Sequence, residues 1–463
     1  MSRLVALGLF VVALLAHLWM LRPIDDGDLF THIVVGRLPL GSPPLTEMES
    51  ASGSSVSWLA YAVFARVDSL LGLSGVKALN VGLLAVAFFS LWLWMERVLR
   101  RIGGREPSGV ALGIGLLSAW LVSATNVSAR PQSFAYLAFS LLLLLLEVWS
   151  PRGRGWGYRA TWLLALLVSW QNLHPSVVMA IPVVGAYVLF QRAPYYLLLL
   201  PIIATVCTPE GFSIFNVSAR NVELSRALLK VSEWMPPWDP SVRGAMEGFW
   251  VVVSALLVLG AFSPQGRSAC HDPVVGGLTL VFFAMTLSSS RFGAFWGFVS
   301  APLVASLAGV VVSKSSIGAR SRSVTSGLWC SLACALLFLL LFNPGETLSS
   351  QAPIHLFREL KVQFPRARIF NYREFGGALE YVGYPDWRVF IDGRLYLYDD
   401  KTWEVYHRAA LGNDLSLVER LVSEHDLFIL HSSYHKALIG VLELNPALRL
   451  VANREGIVVF AKK

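Results

Sequence analysis

The sequence predicts a polytopic α-helical membrane protein with a small C-terminal α/β domain. Three observations lead there. Apolar residues make up 55% of the 463-residue chain and charged residues only 15%, against about 25% charged in an ordinary soluble domain. Apolar runs recur throughout residues 4–342, and the mean hydropathy is +0.58. From residue 343 the chain turns polar and alternates short strand-like and helix-like segments.

A membrane-spanning helix needs about 20 apolar residues, fewer where it is shielded by its neighbours. Candidate runs lie at 4–21, 76–95, 109–125, 133–149, 160–171, 176–190, 195–207, 247–262, 273–289, 295–312 and 325–342, about eleven in all. Several are short, as expected of half-helices that end inside the protein. The first run has a basic start at Arg3, like a signal peptide. Arg22-Pro23 and a run of acids follow where a small-residue cleavage site would stand, so it reads as a retained helix.

The net charge of +8 would suggest nucleic acid in a soluble protein. Here the arginines cluster between apolar runs, which is the pattern of topology signals and lipid headgroup contacts. Arg97, Arg100, Arg101 and Arg105 follow the second run, Arg152, Arg154 and Arg159 the fourth, and Lys314, Arg320 and Arg322 the tenth. These loops fall on one side if the N-terminus is cytoplasmic. The expected topology is therefore N-in and C-out, with membrane lipids and no nucleic acid as partners. Outside lie loop 22–75, loop 208–246 and the tail. The expected domains are a transmembrane part at 1–342 and an extracytoplasmic α/β part at 343–463.

Cys207, Cys270, Cys330 and Cys334 lie in or beside apolar runs and none lies in the tail, so no disulfide and no structural zinc is expected. In the tail, Arg368–Asn371, Arg388–Asp392 and Leu427–His431 read as strands and Leu415–Glu424 as a helix. Leu448–Ala452 and Ile457–Ala461 flank a hairpin signal at Asn453-Arg454-Glu455-Gly456.

Ile24-Asp25-Asp26-Gly27-Asp28 carries the strongest chemical signal, because three carboxylates beside a membrane helix are costly to hold. If 25–38 is helical, Asp25, Asp28 and His32 share a face. Crowded carboxylates raise one another's pKa unless a cation intervenes, which suits a general base or a divalent metal (Mg or Mn). The same acids would also serve as a helix N-cap. Arg130, in Ala129-Arg130-Pro131-Gln132, suits a lipid phosphate or a snorkelling interfacial role. Asn172 and His174, in Trp170-Gln171-Asn172-Leu173-His174-Pro175, suit a sugar or acceptor, or simple helix termination. Glu233 and Trp234, in Glu233-Trp234-Met235-Pro236-Pro237-Trp238-Asp239, suit a carbohydrate subsite or an interfacial belt. Arg291, after Ser288-Ser289-Ser290, suits a diphosphate or an ion pair. Asp392 and Arg394 follow a strand end, where α/β domains often place function. Walker A, Rossmann, HExxH and Gly-x-Ser-x-Gly patterns are absent, which removes support for ATPase and serine hydrolase activities.

On these residues the chain resembles the GT-C superfamily of integral-membrane glycosyltransferases, which includes oligosaccharyltransferase, protein O-mannosyltransferase and aminoarabinose transferase. More closely it resembles a bacterial group of GT-C-like proteins. The matching stretches are Asp26-Gly27-Asp28-Leu29-Phe30-Thr31-His32, Val35-Gly36-Arg37, Arg130-Pro131-Gln132, Asn172-Leu173-His174, Glu233-Trp234, Phe375-Gly376-Gly377 and Ile391-Asp392-Gly393-Arg394. One position departs: Ser57-Trp58-Leu59 stands where the group often has Glu-Trp-Leu.

The resemblance implies an inverting glycosyltransferase of the bacterial inner membrane, with its C-terminal domain periplasmic. It implies a donor sugar on polyprenyl phosphate and a lipid, glycan or protein acceptor. Asp26 or Asp28 would be base or metal ligand, Arg291 and Arg130 would hold phosphate, and His32, Asn172, His174, Glu233 and Trp234 would line the substrate. A transporter or flippase for a lipid-linked glycan, or a non-catalytic envelope assembly protein, are the competing expectations. A transporter should carry its polar groups at mid-membrane, whereas here they gather at one face.

Overall fold

The computed structural model describes residues 3–24, 27–40, 42, 45–46, 56–104, 106–124, 128–149, 155–228, 230–262, 271–313, 347–348 and 353–463. The chain forms two compact units. One comprises Met1–Pro23, Ser74–Asn216 and Ser225–Thr347; the other comprises Ile24–Leu73, Val217–Leu224 and Leu348–Lys463. The boundary at 342/343 read from hydropathy separates apolar from polar chain, while packing groups the first loop with the tail.

In chain order the helices before the tail are α1 (Arg3–Leu21), α2 (Gly27–Arg37), α3 (Trp58–Gly103), α4 (Gly109–Ser123), α5 (Gln132–Trp149), α6 (Trp156–Leu173), α7 (Ala180–Gln191), α8 (Leu199–Val206), α9 (Ile214–Glu223), α10 (Glu247–Phe262), α11 (Pro273–Ser288) and α12 (Gly293–Ser313). Helix occupies ten of the expected runs, and the run at 325–342 lies outside the described residues. Among the described residues, Arg3–Leu21, Trp58–Gly103, Gln132–Trp149 and Ser290–Val310 are long and apolar enough to cross a membrane alone. A pair bent by 94°, Tyr195–Val206 with Gly211–Arg226, adds a fifth if it counts as one span. Gly109–Ser123, Pro175–Gln191, Gly244–Val258 and Pro273–Ser288 are apolar but shorter. Among the described residues the helix lengths thus give four or five full-length spans, with other expected runs shorter. Prolines explain part of this, since Pro175, Pro194 and Pro273 each stand at a break or a helix start.

In the first unit, α4 packs along α12. Phe139 of α5 meets Trp170, Phe282 and Phe295 edge to face, at centroid distances of 6.2, 5.4 and 4.9 Å. Lipid is as apolar as these rings, so such helices associate by close van der Waals fit and polar ties. One tie uses a loop-proximal arginine. Arg101 Nε donates to Glu147 (2.7 Å), the same guanidinium pairs with Asp272, and Tyr187 Oη donates to Glu147 (2.8 Å).

The second unit is built on a sheet of β1 (Ala367–Asn371), β2 (Trp387–Val389), β3 (Leu427–His431), β4 (Leu448–Arg454) and β5 (Ile457–Lys462), in the order β2-β1-β3-β5-β4. β1 runs parallel to β2 and β3, and β5 antiparallel to β3 and β4. Parallel pairs need crossovers. These are α14 (Gly376–Gly383) and then α15 (Asp400–Leu411) with α16 (Leu415–Glu424); α13 (Ile354–Gln363) precedes β1 and α17 (Lys436–Glu443) follows β3. The hairpin turn holds Glu455 and Gly456 at φ 57 and 76, as a two-residue turn between right-twisted strands requires.

The expected strand Arg388–Asp392 stops at Val389. The Asn371 side chain takes over the ladder. Its Oδ1 accepts from Phe390 N–H (3.0 Å) and its Nδ2 donates to the Ile391 carbonyl (2.8 Å). Local side-chain bonds of this kind compete with strand pairing and turn Asp392-Gly393-Arg394 out of the sheet.

The first loop is woven into this domain. Ile24 bridges Leu348, and Thr46 bridges Val389 on the β2 edge. Phe30 of α2 is 3% exposed in a core with Ile354, Phe357, Leu379 and Trp387. Arg220 of the short segment 217–224 pairs with Asp400. The chain leaves this unit within α3, just after Gly72, whose φ of 66 and ψ of −170 break the helix.

Candidate functional site

Each unit holds one group of the residues singled out by sequence. In the second unit the acidic motif opens α2, with Asp28 in its first turn and Arg37 in its last, an arrangement that suits the helix dipole. Asp26 lies outside the described residues, as does Asp25. Leu29, Phe30, Ile33 and Val34 are buried, and Asp28 and His32 are half-buried on another face.

Two glycines bring the distant motifs together. A Cβ on Gly377 would lie 2.3 Å from Thr31 Oγ1 and 2.6 Å from the Gly27 carbonyl; a Cβ on Gly393 would lie 2.3 Å from Asp28 Oδ1. Any larger residue would displace α2 or the carboxylate. The Asp28 carboxylate therefore rests against the backbone of the C-terminal Asp-Gly-Arg turn. Behind it, Tyr61 is buried, stacks on His32 (4.6 Å, 12° between planes), and lies in the field of Arg394, Tyr396 and Asp28. Arg37 pairs with Asp68 (2.7 Å) and sits over the Tyr381 ring at 5.0 Å.

Asp392 and Arg394 form a buried network with Glu380. Arg394 Nη2 donates to Glu380 Oε1 (2.9 Å), Arg394 Nε donates to Asp392 Oδ2 (2.9 Å), and Asp392 Oδ1 accepts from Arg394 N–H (2.7 Å). Asp392 N–H donates to Tyr398 Oη (2.8 Å). Two carboxylates share one guanidinium, and both are 0% exposed. Burial pushes the Glu380 carboxyl up to about 8, the Asp392 charge adds to this, and Arg394 opposes it. Among the described residues no donor reaches Glu380 Oε2, and a side-chain hydrogen bond with the Asp392 carboxylate favours a proton on Glu380.

The sign of the pH effect follows. Between pH 4.5 and about 8 the folded protein keeps a proton on Glu380 that the unfolded chain releases. Stability is then full below pH 4.5 and falls as pH rises through that window. Glu380→Gln, neutral at every pH, should flatten the slope. Thermal melts in detergent from pH 5 to 9 would measure this, and parallel curves for the two proteins would refute it.

In the first unit, Arg130, Glu233, Trp234 and Arg291 converge from three stretches of sequence. Arg291 Nη1 donates to Glu233 Oε1 (3.1 Å) and Arg130 Nη1 to Glu233 Oε2 (3.4 Å). The Arg291 guanidinium lies 4.6 Å from the Trp234 ring centroid, within cation–π range. Ser289 and Ser290 hydroxyls donate to the Glu233 carbonyl (3.2 and 2.9 Å). Two guanidiniums on one carboxylate leave a net positive charge, and all three side chains are about a quarter exposed. Arg226 adds a third guanidinium and donates to the Ser288 and Trp234 carbonyls.

Asn172 and His174 are placed differently. Asn172 Nδ2 donates to the carbonyls of Val168 (2.8 Å) and Cys207 (2.7 Å), and His174 Nδ1 meets Ser176 Oγ at 2.8 Å. These bonds tie the end of α6 to its surroundings. Tyr61, Glu380 and Arg226 escaped the sequence reading. Glu380 had a signal, a lone acid in the apolar stretch Gly376–Gly383; Tyr61 and Arg226 had none.

Among the described residues no three His, Cys, Asp or Glu side chains gather as metal ligands. Asp26, the other residue expected of a Mg or Mn centre, lies outside the described residues.

No family model and no curated protein matches the chain. Among solved structures it is similar to the single-particle cryo-EM structure of the arabinofuranosyltransferase AftD from mycobacteria, at 14% identity and a TM-score of 0.56. The match covers 100% of this chain and 40% of that one, so the chain spans less than half of AftD. At this identity the likeness is one of fold alone.

Proposed function

We propose that this GT-C-like membrane protein is a glycosyltransferase that moves a sugar from a polyprenyl-phosphate-linked donor to a hydroxyl acceptor at the outer face of the bacterial inner membrane. The observation that carries this reading is the cluster in the first unit. Arg130 and Arg291 share Glu233 and keep net positive charge beside an indole. That chemistry suits a phosphate bound next to a sugar ring, because guanidiniums bond phosphate oxygens in pairs. The arginine-rich loops between apolar runs support an N-in orientation.

In the step proposed, an acceptor hydroxyl attacks the anomeric carbon as its bond to the phosphate oxygen breaks, with inversion. The hydroxyl proton passes to a carboxylate, the role that the sequence offers to Asp26 or Asp28, and polyprenyl phosphate leaves with the bonding electron pair. Arg291 and Arg130 stabilise the charge that develops on the phosphate.

The test is wild type against Arg291→Ala in proteoliposomes, with a panel of radiolabelled polyprenyl-phosphate sugars. Loss of a charge-assisted bond to the donor should raise its KM by roughly tenfold or more, and Arg291→Lys should recover part of it. Donor that binds wild type but never loses its sugar would move the assignment to a transporter. An unchanged KM in the Ala variant would remove Arg291 from the donor site.

A further inference from the structure

The carboxyl ends of β1 and β3 carry a group of side chains that the proposed reaction does not use. In open α/β sheets with parallel strand order 2-1-3, ligands settle outside the carboxyl ends of β1 and β3, where the connections diverge. This sheet has that order, with the β5-β4 hairpin added beyond β3. Tyr372 follows β1, and His431, Tyr434 and His435 stand at and after the end of β3. The Tyr372 ring lies 5.1 Å from His431 and 5.4 Å from Tyr434 between centroids. Tyr434 is 42% exposed, and its hydroxyl reaches His407 Nδ1 of α15 at 3.3 Å. Arg373, 23% exposed, borders the same group and pairs with Glu374 (3.3 Å).

Two buried imidazole nitrogens here, Nε2 of His407 and Nε2 of His435, have no hydrogen-bond partner among the described residues. His435 Nδ1 accepts from the His431 backbone N–H (3.4 Å), so the proton sits on Nε2. Burial, with His431 next, lowers its pKa to about 4, and it is neutral at pH 7. Unmet polar groups beside a half-exposed aromatic face ask for a ligand that is apolar on one face and rich in hydroxyls at its edge.

A nucleotide would need a phosphate cradle at the first βα turn. The turn is glycine-rich, Phe375-Gly376-Gly377, but that space is filled: Gly377 packs on Thr31 and Gly27, and Gly376 on the Ile391 carbonyl. A sugar ring needs no such cradle.

We propose that the carboxyl ends of β1 and β3 form a carbohydrate subsite, in which Tyr372 and Tyr434 pack on one ring of a neutral glycan while His407 and Arg373 bond its hydroxyls. Naming that glycan the acceptor rests on the transferase reading; the binding itself does not.

The test uses the full chain in nanodiscs and saturation-transfer NMR with linear tetrasaccharides of arabinofuranose, mannopyranose and glucopyranose, each alone and without donor. At least one should bind wild type. Tyr434→Ala should weaken it by roughly three- to tenfold, Tyr372→Ala should act likewise, and Tyr434→Phe, which keeps the ring, should stay near wild type. Leu444→Ala, at an exposed position elsewhere on the domain, is the control. Binding by none of the three, equal binding by wild type and both Ala variants, or binding of a nucleoside diphosphate in their place would overturn the proposal. Oligosaccharide binding in a protein that never cleaves a donor would sink the transferase and leave the subsite standing.

Discussion

Asp28→Asn should lower sugar transfer by about 10²–10⁴-fold, the usual contribution of a positioned base, while the protein stays folded. The substitution keeps size and shape. The amide still fits against the Gly393 backbone, where the carboxylate Oδ1 sits 2.3 Å from the place a Cβ would occupy. What disappears is the charge and basicity of the carboxylate proposed to take the acceptor's proton. The fold loses the favourable charge at the start of α2, worth about 0.3–1 kcal/mol. Initial rates, together with melting curves for both proteins, separate the two effects. Asp28→Glu offers a second check, because its extra methylene must push into the space that Gly393 leaves barely open. Full activity in Asp28→Asn would strike Asp28 from the mechanism and leave Asp26 as the other candidate base.

Arg394→Met should destabilise the second unit by about 3–5 kcal/mol, the cost of removing one partner from a buried ionic group. Glu380 can stay protonated, but Asp392 is left charged and 0% exposed with its guanidinium gone. The loss should be measurable as a lower melting temperature. The triple variant Arg394→Met, Asp392→Leu, Glu380→Leu should recover much of it, because an apolar replacement of a buried ion group is often neutral. A single variant as stable as wild type would show that the network contributes nothing to folding. Since this network lies beside the Asp28 lodging, transfer should fall with the melt in the single variant. The triple variant then tells whether Arg394 acts on Asp28 only by holding the turn in place.

Much of the fold was legible because it rests on periodicity and composition. The apolar runs became helices, α2 fell within the stretch 25–38, and β1, β3, α16 and the hairpin lie where alternation and turn residues put them. Helix lengths were less legible, since prolines at 175, 194 and 273 cut what hydropathy averages blur. The end of β2 was misjudged because Asn371, sixteen residues before the strand's start, substitutes its side chain for the backbone partner. No local pattern encodes such a substitution.

The site residues were legible as types and invisible as neighbours. Arg130 and Glu233 each read as a substrate-binding or an interfacial residue and Arg291 as a diphosphate ligand or half of an ion pair, and only folding shows both arginines on the Glu233 carboxylate. Asp28 and Gly393 stand hundreds of positions apart in sequence. The glycine's lack of a side chain is what admits the carboxylate.

The weaving of the first loop into the C-terminal sheet sets an order of events during biosynthesis. Residues 24–73 leave the ribosome long before 348–463 exist, with the intervening helices to be inserted first. At about 5–20 residues per second the loop waits roughly 15–55 s for its partner. Throughout that interval Phe30 has no core to enter and the Thr46 edge no strand to join. The helix that carries Asp28 is thus made early and packed against its sheet domain last.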